Sequence, residues 1–308
     1  MIPPPQTVHV IGASGRSGAA LVRALLAQGA AVQPVLRNDG RFRAAFPAGH
    51  ERLSAPRLAD LANAPMLAAA LADATRVVST AHARHTAAVL AAAPPLARVV
   101  LLGSTRRYTR WLDAHGEGVL RGETALLGSG RPGVMLHPTM IFGAEGEDNV
   151  QRLAALLKRL PVVPLPGGGR ALVQPIHQDD LSACILAALE VPWREPATLV
   201  VAGPEPVPYK DFVRAVAAAA GLPPPRFVPV PAALLMALAP LSRLPGLRRV
   251  SAEEIRRLGE DKAFDIGPML ATLGVRPISL EQGLARTFAR QDAKKCRSST
   301  ASPTSTTT

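Results

Sequence analysis

The chain has 308 residues, 48 % of them hydrophobic and only 4 % aromatic, so a sizeable core is available but must be built mostly from Ala, Leu and Val. Such a core suits parallel strands covered by helices and speaks against an aromatic-rich β-sandwich. The net charge of +12 is carried almost wholly by arginine, yet no stretch joins clustered basic residues to stacking aromatics, so a nucleic-acid partner is not expected.

The N-terminus, Met1 to Gln6, lacks the basic and apolar regions of a signal peptide. Thr7 to Ile11 is a short β-branched run ending at Gly12. A glycine-rich turn follows, then an Ala/Leu helix from Gly18 to about Gln28, closed by Gly29. A second strand spans 31–36, completing a β–α–β unit of about thirty residues. The alternation continues with helices at 64–71, 84–92 and 113–127 and strands at 76–80, 98–102 and 133–136. This order predicts an α/β fold, a Rossmann-type doubly wound parallel sheet, over residues 1–160.

The rhythm then breaks. An amphipathic helix at 149–160 leads into Pro- and Gly-rich chain at 161–169. Short strands at 198–201 and 226–230 mix with helices at 209–220, 253–258 and 280–291. Residues 161–291 are therefore expected to form a small C-terminal α/β substrate lobe with elements returning to the core. The Lys/Ser/Thr-rich end, 292–308, reads as a disordered tail. Cys184 and Cys296 make neither a disulfide framework nor a metal-ligand spacing, which fits a cytoplasmic setting without a metal. No apolar run reaches the ~18 residues a transmembrane helix needs. The longest, 231–241, opens on Pro231 and ends on Leu241; it is the candidate surface for docking on a larger partner, with homo-oligomer formation the other partner expectation. Arg248, Arg249, Arg256 and Arg257, interrupted by Glu253 and Glu254, read as a solvated helix face.

The turn Gly12-Ala13-Ser14-Gly15-Arg16-Ser17-Gly18 carries the first chemistry. Gly12 ends the strand tightly, Gly15 lets backbone N–H groups approach a pyrophosphate, and Gly18 lets the helix press on the strand. The helix N-terminus then turns its unpaired N–H groups and positive dipole end toward the phosphates. A dinucleotide cofactor is the expectation, with Gly12, Ser14, Gly15, Arg16, Ser17 and Gly18 holding it. At the end of the second strand, where an acid commonly holds the ribose 2′-hydroxyl of NAD, stands Arg37, whose guanidinium suits a 2′-phosphate. NADP is preferred over NAD, although Asp39 two residues on keeps NAD open.

With these marks the chain resembles the short-chain dehydrogenase/reductase superfamily, in its extended and atypical branch that includes NAD-dependent epimerases/dehydratases and NmrA-like proteins. The resemblance runs over roughly residues 7–290. Asp60-Leu61 matches the acid–apolar pair that reaches the adenine, and Ser79-Thr80-Ala81 ends the fourth strand beside the cofactor. Leu102-Gly103-Ser104-Thr105 ends the fifth strand where the family has its catalytic Ser or Thr. His137-Pro138-Thr139-Met140-Ile141-Phe142-Gly143 is similar to the segment beneath the nicotinamide. Pro175 to Leu181, and Leu273 to Pro277 with Leu280 to Leu284, match two later segments. The resemblance implies cofactor contacts from Asp60, Leu61, Thr80, Ala81, His137, Pro138 and Thr139.

The catalytic pair departs from the pattern. The family uses a Tyr with a Lys four residues later, the Lys holding the nicotinamide ribose and lowering the pKa of the Tyr. Glu123 fits a Glu that often follows that Lys by four; counting back places Val119 at the Lys position and His115 at the Tyr position. The candidate catalytic residues are Ser104, Tyr108 and His115. His177 and Asp180 are expected to be structural. The resulting expectation is an NADP-dependent oxidoreductase or epimerase acting on an unknown small molecule by an altered proton route. The alternative is a dinucleotide-binding regulator or accessory subunit without turnover.

Overall fold

In the computed structural model the chain is described over residues 7–300, apart from 48, 144–148, 161, 232, 235 and 237–255; side chains are described as far as Arg290. The expectations for Met1 to Gln6, for most of 231–241, for Arg248 and Arg249, for the start of the helix at 253–258 and for the last eight residues of the tail lie outside these residues.

The strands β1 (Thr7–Ile11), β2 (Ala31–Leu36), β3 (Arg57–Leu58), β4 (Arg76–Ser79), β5 (Arg98–Leu102), β6 (Gly133–Pro138) and β11 (Pro196–Val201) form one seven-stranded sheet in the order β11-β6-β5-β4-β1-β2-β3. Every pairing in it is parallel. The chain winds outward from β1 in one direction and from β4 in the other, which opens a crevice at the carboxyl ends of β1 and β4.

The period of two along each strand divides the core. Val78, Val100, Leu102, Val134 and Leu136 face one side, where Leu21, Val22 and Leu25 of α1 (Arg16–Ala27) and Leu181, Cys184 and Ile185 of α7 (Gln178–Glu190) cover them. Val77, Val99, Leu101 and Met135 face the other, under α3 (Ala64–Leu71), α4 (Thr86–Ala92) and α5 (Ala114–Gly128). Helix starts follow local chemistry: Asn63 caps α3 by accepting from Met66 N at 3.1 Å, and Asp113 caps α5 by accepting from Gly116 N at 2.9 Å. α1 ends at Gly29, whose φ of +76° suits a residue without a Cβ. Pro34 lies within β2, where it cannot donate; the neighbouring β3 pairs only with Val35 and Leu36, beyond it.

The lobe has its own core, in which Phe142, Val150, Leu165, Phe212, Val216 and Leu284 meet. It is formed by α6 (Asn149–Arg159), α8 (Tyr209–Ala219), α10 (Leu280–Thr300) and two-stranded pairs. These pairs are β7 (Ile141–Phe142) with β10 (Ile176–His177), β8 (Val162–Pro166) with β13 (Arg226–Val230), and β9 (Leu172–Val173) with β12 (Val207–Pro208). A short α2 (Gly40–Ala45) follows β2, and α9 (Gly267–Leu273) packs back on the core beside α7.

Two expectations are corrected. The Pro/Gly-rich stretch at 161–169 holds a strand, β8, which pairs in parallel with β13. The helix α10 continues to Thr300 instead of giving way to disorder at 292. The sequence there lacks apolar periodicity, but no proline or glycine interrupts it after Gly283, so the helix extends beyond its packed part.

Candidate functional site

The glycine turn sits at the crevice and is held by backbone contacts. Gly12 N donates to Val35 O at 2.9 Å, Gly15 N to Gly12 O at 2.8 Å, and Gly12 has φ +79°. A Cβ on Gly18 would collide with the carbonyl of Gly12, so close helix–strand packing requires glycine there. A Cβ on Gly12 would stand 2.9 Å from Thr80 Oγ1, so Thr80 and the turn close on each other across the crevice floor. Thr80 Oγ1 itself donates to Ile11 O at 3.0 Å. Gly15 differs: it caps α1 with φ −74°, and only Gly12 O, at 3.1 Å, would touch its Cβ. No side chain caps α1 and no acid stands in its first turn, so its first N–H groups and positive end face the crevice.

Around this turn the predicted residues separate. Arg37 is exposed at the end of β2, while the Asp39 carboxylate accepts from Arg43 Nε four residues on. Asp60 is spent locally, its Oδ1 accepting from Ala62 N at 2.9 Å, and Leu61 packs partly buried against the core. Ser17 Oγ donates to Gln178 Oε1 at 2.9 Å, tying α1 to α7. Ala81 follows Thr80 at the rim, packed partly buried against the core.

The far rim, after β5, is built from side chains. Ser104 N donates to His137 Nδ1 at 3.2 Å, and Ser104 Oγ accepts from Arg106 N at 3.2 Å. His137 is fully buried, and a Cβ on Gly103 would collide with its ring. Because Nδ1 accepts, the neutral ring carries its proton on Nε2, 3.0 Å from Glu123 Oε2. Arg107 Nε lies 2.6 Å from the same oxygen, and these three buried atoms are close without being aligned as hydrogen bonds. Burial, with the Arg107 guanidinium, pushes His137 down to about 4, while burial raises Glu123 against the pull of Arg107. Pro138 and Thr139 follow His137; Thr139 is buried, its N bonded to Val201 O at 3.1 Å.

Tyr108 is half exposed, its ring 6.1 Å from that of His137 and 5.7 Å from that of Phe264, with Arg107 Cζ 4.4 Å above it. A strap from the lobe pins this loop. Glu260 accepts from Arg110 N at 2.9 Å and from Thr109 Oγ1, and buried Arg257 binds Asp113 Oδ2 at 2.9 Å. His115 stands in the first turn of α5, its Nδ1 3.1 Å from Nε2 of His82. Val119 is 1 % exposed within the core, so no cation occupies the expected lysine position. Sequence reading missed His82, Arg107 and Glu260. His82 follows the flagged Ser79-Thr80-Ala81 segment directly, which was the available signal.

A doubly wound parallel sheet with this strand order, a glycine turn after β1 and a small lobe over the strand ends defines a Rossmann-type α/β fold. Solved structures share it along nearly their whole length. MoeE5, solved with UDP-glucose and NAD, is 20 % identical with a TM-score of 0.69, the match covering 94 % of this chain and 99 % of that one. A nucleoside-diphosphate-sugar epimerase from Staphylococcus aureus is 14 % identical with a TM-score of 0.72, covering 91 % and 100 %. The NADPH-dependent quinone oxidoreductase QOR2 from Escherichia coli, solved with NADPH, is 16 % identical with a TM-score of 0.71, covering 91 % and 99 %. At such identities the likeness is one of fold. No protein-family model and no curated protein matches the chain. Among the described residues no helix is long and apolar enough to cross a membrane, and no cluster of metal-ligating side chains is present.

Proposed function

We propose that the chain binds NADP(H) in the crevice between β1 and β4 and acts on a small molecule as an oxidoreductase whose usual Tyr/Lys proton route is replaced. The observation that carries the reading is the glycine turn. Gly12 and Gly18 leave no room for a Cβ, whereas Gly15 and the uncapped start of α1 face open crevice. Gly12, Ser14, Gly15, Arg16 and Gly18 would cradle the pyrophosphate. Arg37 would meet the 2′-phosphate, its rival Asp39 being engaged by Arg43. MoeE5 with NAD and QOR2 with NADPH show that this fold accepts either dinucleotide.

Bound NADPH would supply hydride; the chain's part is to hold and polarise the acceptor. Ser104, Tyr108 and His115 would take this part. Cys184, a buried free thiol, accords with a reducing, cytoplasmic setting. One observation favours a second reading, a dinucleotide-holding regulator or accessory subunit. With Val119 in the core, the position expected to carry the lysine supplies no ammonium to lower a tyrosine pKa. Titrating purified protein with NADPH and NADH, then assaying a panel of carbonyl compounds, tests both. NADPH binding with turnover supports the oxidoreductase, binding without turnover the second reading, and no binding of either dinucleotide refutes both.

A further inference from the structure

The histidine at the tyrosine position is not alone. His82 and His115 meet edge to face, ring centroids 4.3 Å apart, with Nε2 of His82 3.1 Å from Nδ1 of His115. His82 is fixed from behind, since Arg84 N donates to its Nδ1 at 3.1 Å. A ring nitrogen that accepts carries no proton, so neutral His82 holds its hydrogen on Nε2 and points it at His115 Nδ1. The same logic moves one ring onward: His115 Nδ1 accepts, so His115 keeps its proton on Nε2. That nitrogen has no partner among the described residues.

We propose that His82 is a positioning residue that locks His115 into the Nε2–H tautomer, so that a neutral imidazole N–H is offered to a ligand oxygen where the resembling family carries its tyrosine hydroxyl. Helix α5 is shaped for the pair. A Cβ on Gly118 would lie 2.6 Å from His82 Cε1, and one on Gly122 would collide with the carbonyl of Ala83. The helix therefore sits flush on the His82–Ala83 segment. Arg84 and His85 from the turn after β4, Arg121 from α5, Arg106 from the turn after β5, and Arg257 from the strap face the two rings; Asp113 is the opposing carboxylate. Burial and these cations oppose a charge on either ring, with His82 pushed down to about 4. Protonating His115 would also set two N–H groups against each other across the 3.1 Å contact. The pair is thus a donor and not a base at neutral pH: it polarises a carbonyl or grips a hydroxyl or phosphate oxygen.

What the N–H meets rests on the dinucleotide reading; the lock itself does not, and it is tested without cofactor. Long-range ¹H–¹⁵N spectra of histidine-labelled protein distinguish the tautomers of the seven histidines. In the parent, His82 and His115 are expected as single Nε2–H tautomers, both titrating below the ordinary value of about 6.5. His82→Phe fills the space without an N–H; His115 should become a tautomer mixture and its titration should move upward. His82→Gln keeps an N–H donor and should restore the single tautomer. Gly118→Ala, a favourable helix substitution by propensity, should displace His82 and act like His82→Phe. A mixed His115 in the parent, a His115 indifferent to His82→Phe, or a His82→Gln protein that behaves like His82→Phe overturns the proposal. If the lock holds but neither dinucleotide binds, the functional reading falls and the pair stands.

Discussion

On the β1–β4 side of the crevice the working parts are backbone: N–H groups at the start of α1, the carbonyl of Gly12, and glycines whose missing side chains make the space. On the β5–β6 side they are side chains: Arg107, Glu123 and His137 in one buried knot, Tyr108 above it, and the His82–His115 pair beside it. A backbone cradle is set by a few glycines and is compatible with many surrounding sequences. A side-chain site changes chemistry with single substitutions. Cofactor grip and chemistry are thus separable in this fold, and mutations should separate them.

The strongest test strikes the knot. Glu123→Leu leaves the half-buried Arg107 guanidinium without its counter-charge, which costs about 1–3 kcal/mol. The urea midpoint should drop accordingly, and adding Arg107→Met should recover much of the loss. A Glu123→Leu protein as stable as the parent would mean the knot contributes nothing to this rim. Acid probes the same place. The unfolded chain protonates His137 near 6.5 but the folded protein only near 4, so stability should decline as pH falls through that interval and level off below it. The full effect is about 3 kcal/mol, and His137→Gln should flatten this part of a pH–stability profile.

At the edge of the backbone side one side-chain charge decides between the two dinucleotides. Arg37→Ala should weaken NADPH by about 1.5–3 kcal/mol, roughly ten- to a hundredfold, while sparing NADH. Equal losses for both, measured by calorimetry, would return Arg37 to general surface charge and reopen the case for Asp39 and NAD.

Much of the fold was legible because it is local. Short continuous apolar runs in β4, β5 and β6 marked buried strands, and the Gly12–Gly18 turn stood between a strand and a helix. What escaped depends on distant partners. The segment at 198–201 reads as a lobe strand, yet as β11 it adds to β6 at the edge of the main sheet, a choice that no local pattern encodes. β8 is hidden by Pro164 and Pro166, tolerated because among the described residues it pairs on one side alone, with β13. His115 was legible as a substitute for tyrosine by counting from Glu123. Its partner was not, because the contact needs Gly118 to admit the His82 ring from another element.

The central claim is that the glycine turn holds the pyrophosphate of NADP(H), and Gly15→Asp addresses it most directly. The backbone at Gly15 has negative φ, and its Cβ would meet only the Gly12 carbonyl, at 3.1 Å, so a shift of a few tenths of an ångström admits it; a cooperative melt of the variant establishes that it is folded before binding is compared. Its carboxylate, however, would stand where the phosphates lie. Calorimetric titration with NADPH should show a clear binding isotherm for the parent and a loss of affinity by orders of magnitude for the folded variant; equal binding by the two proteins would contradict the assignment.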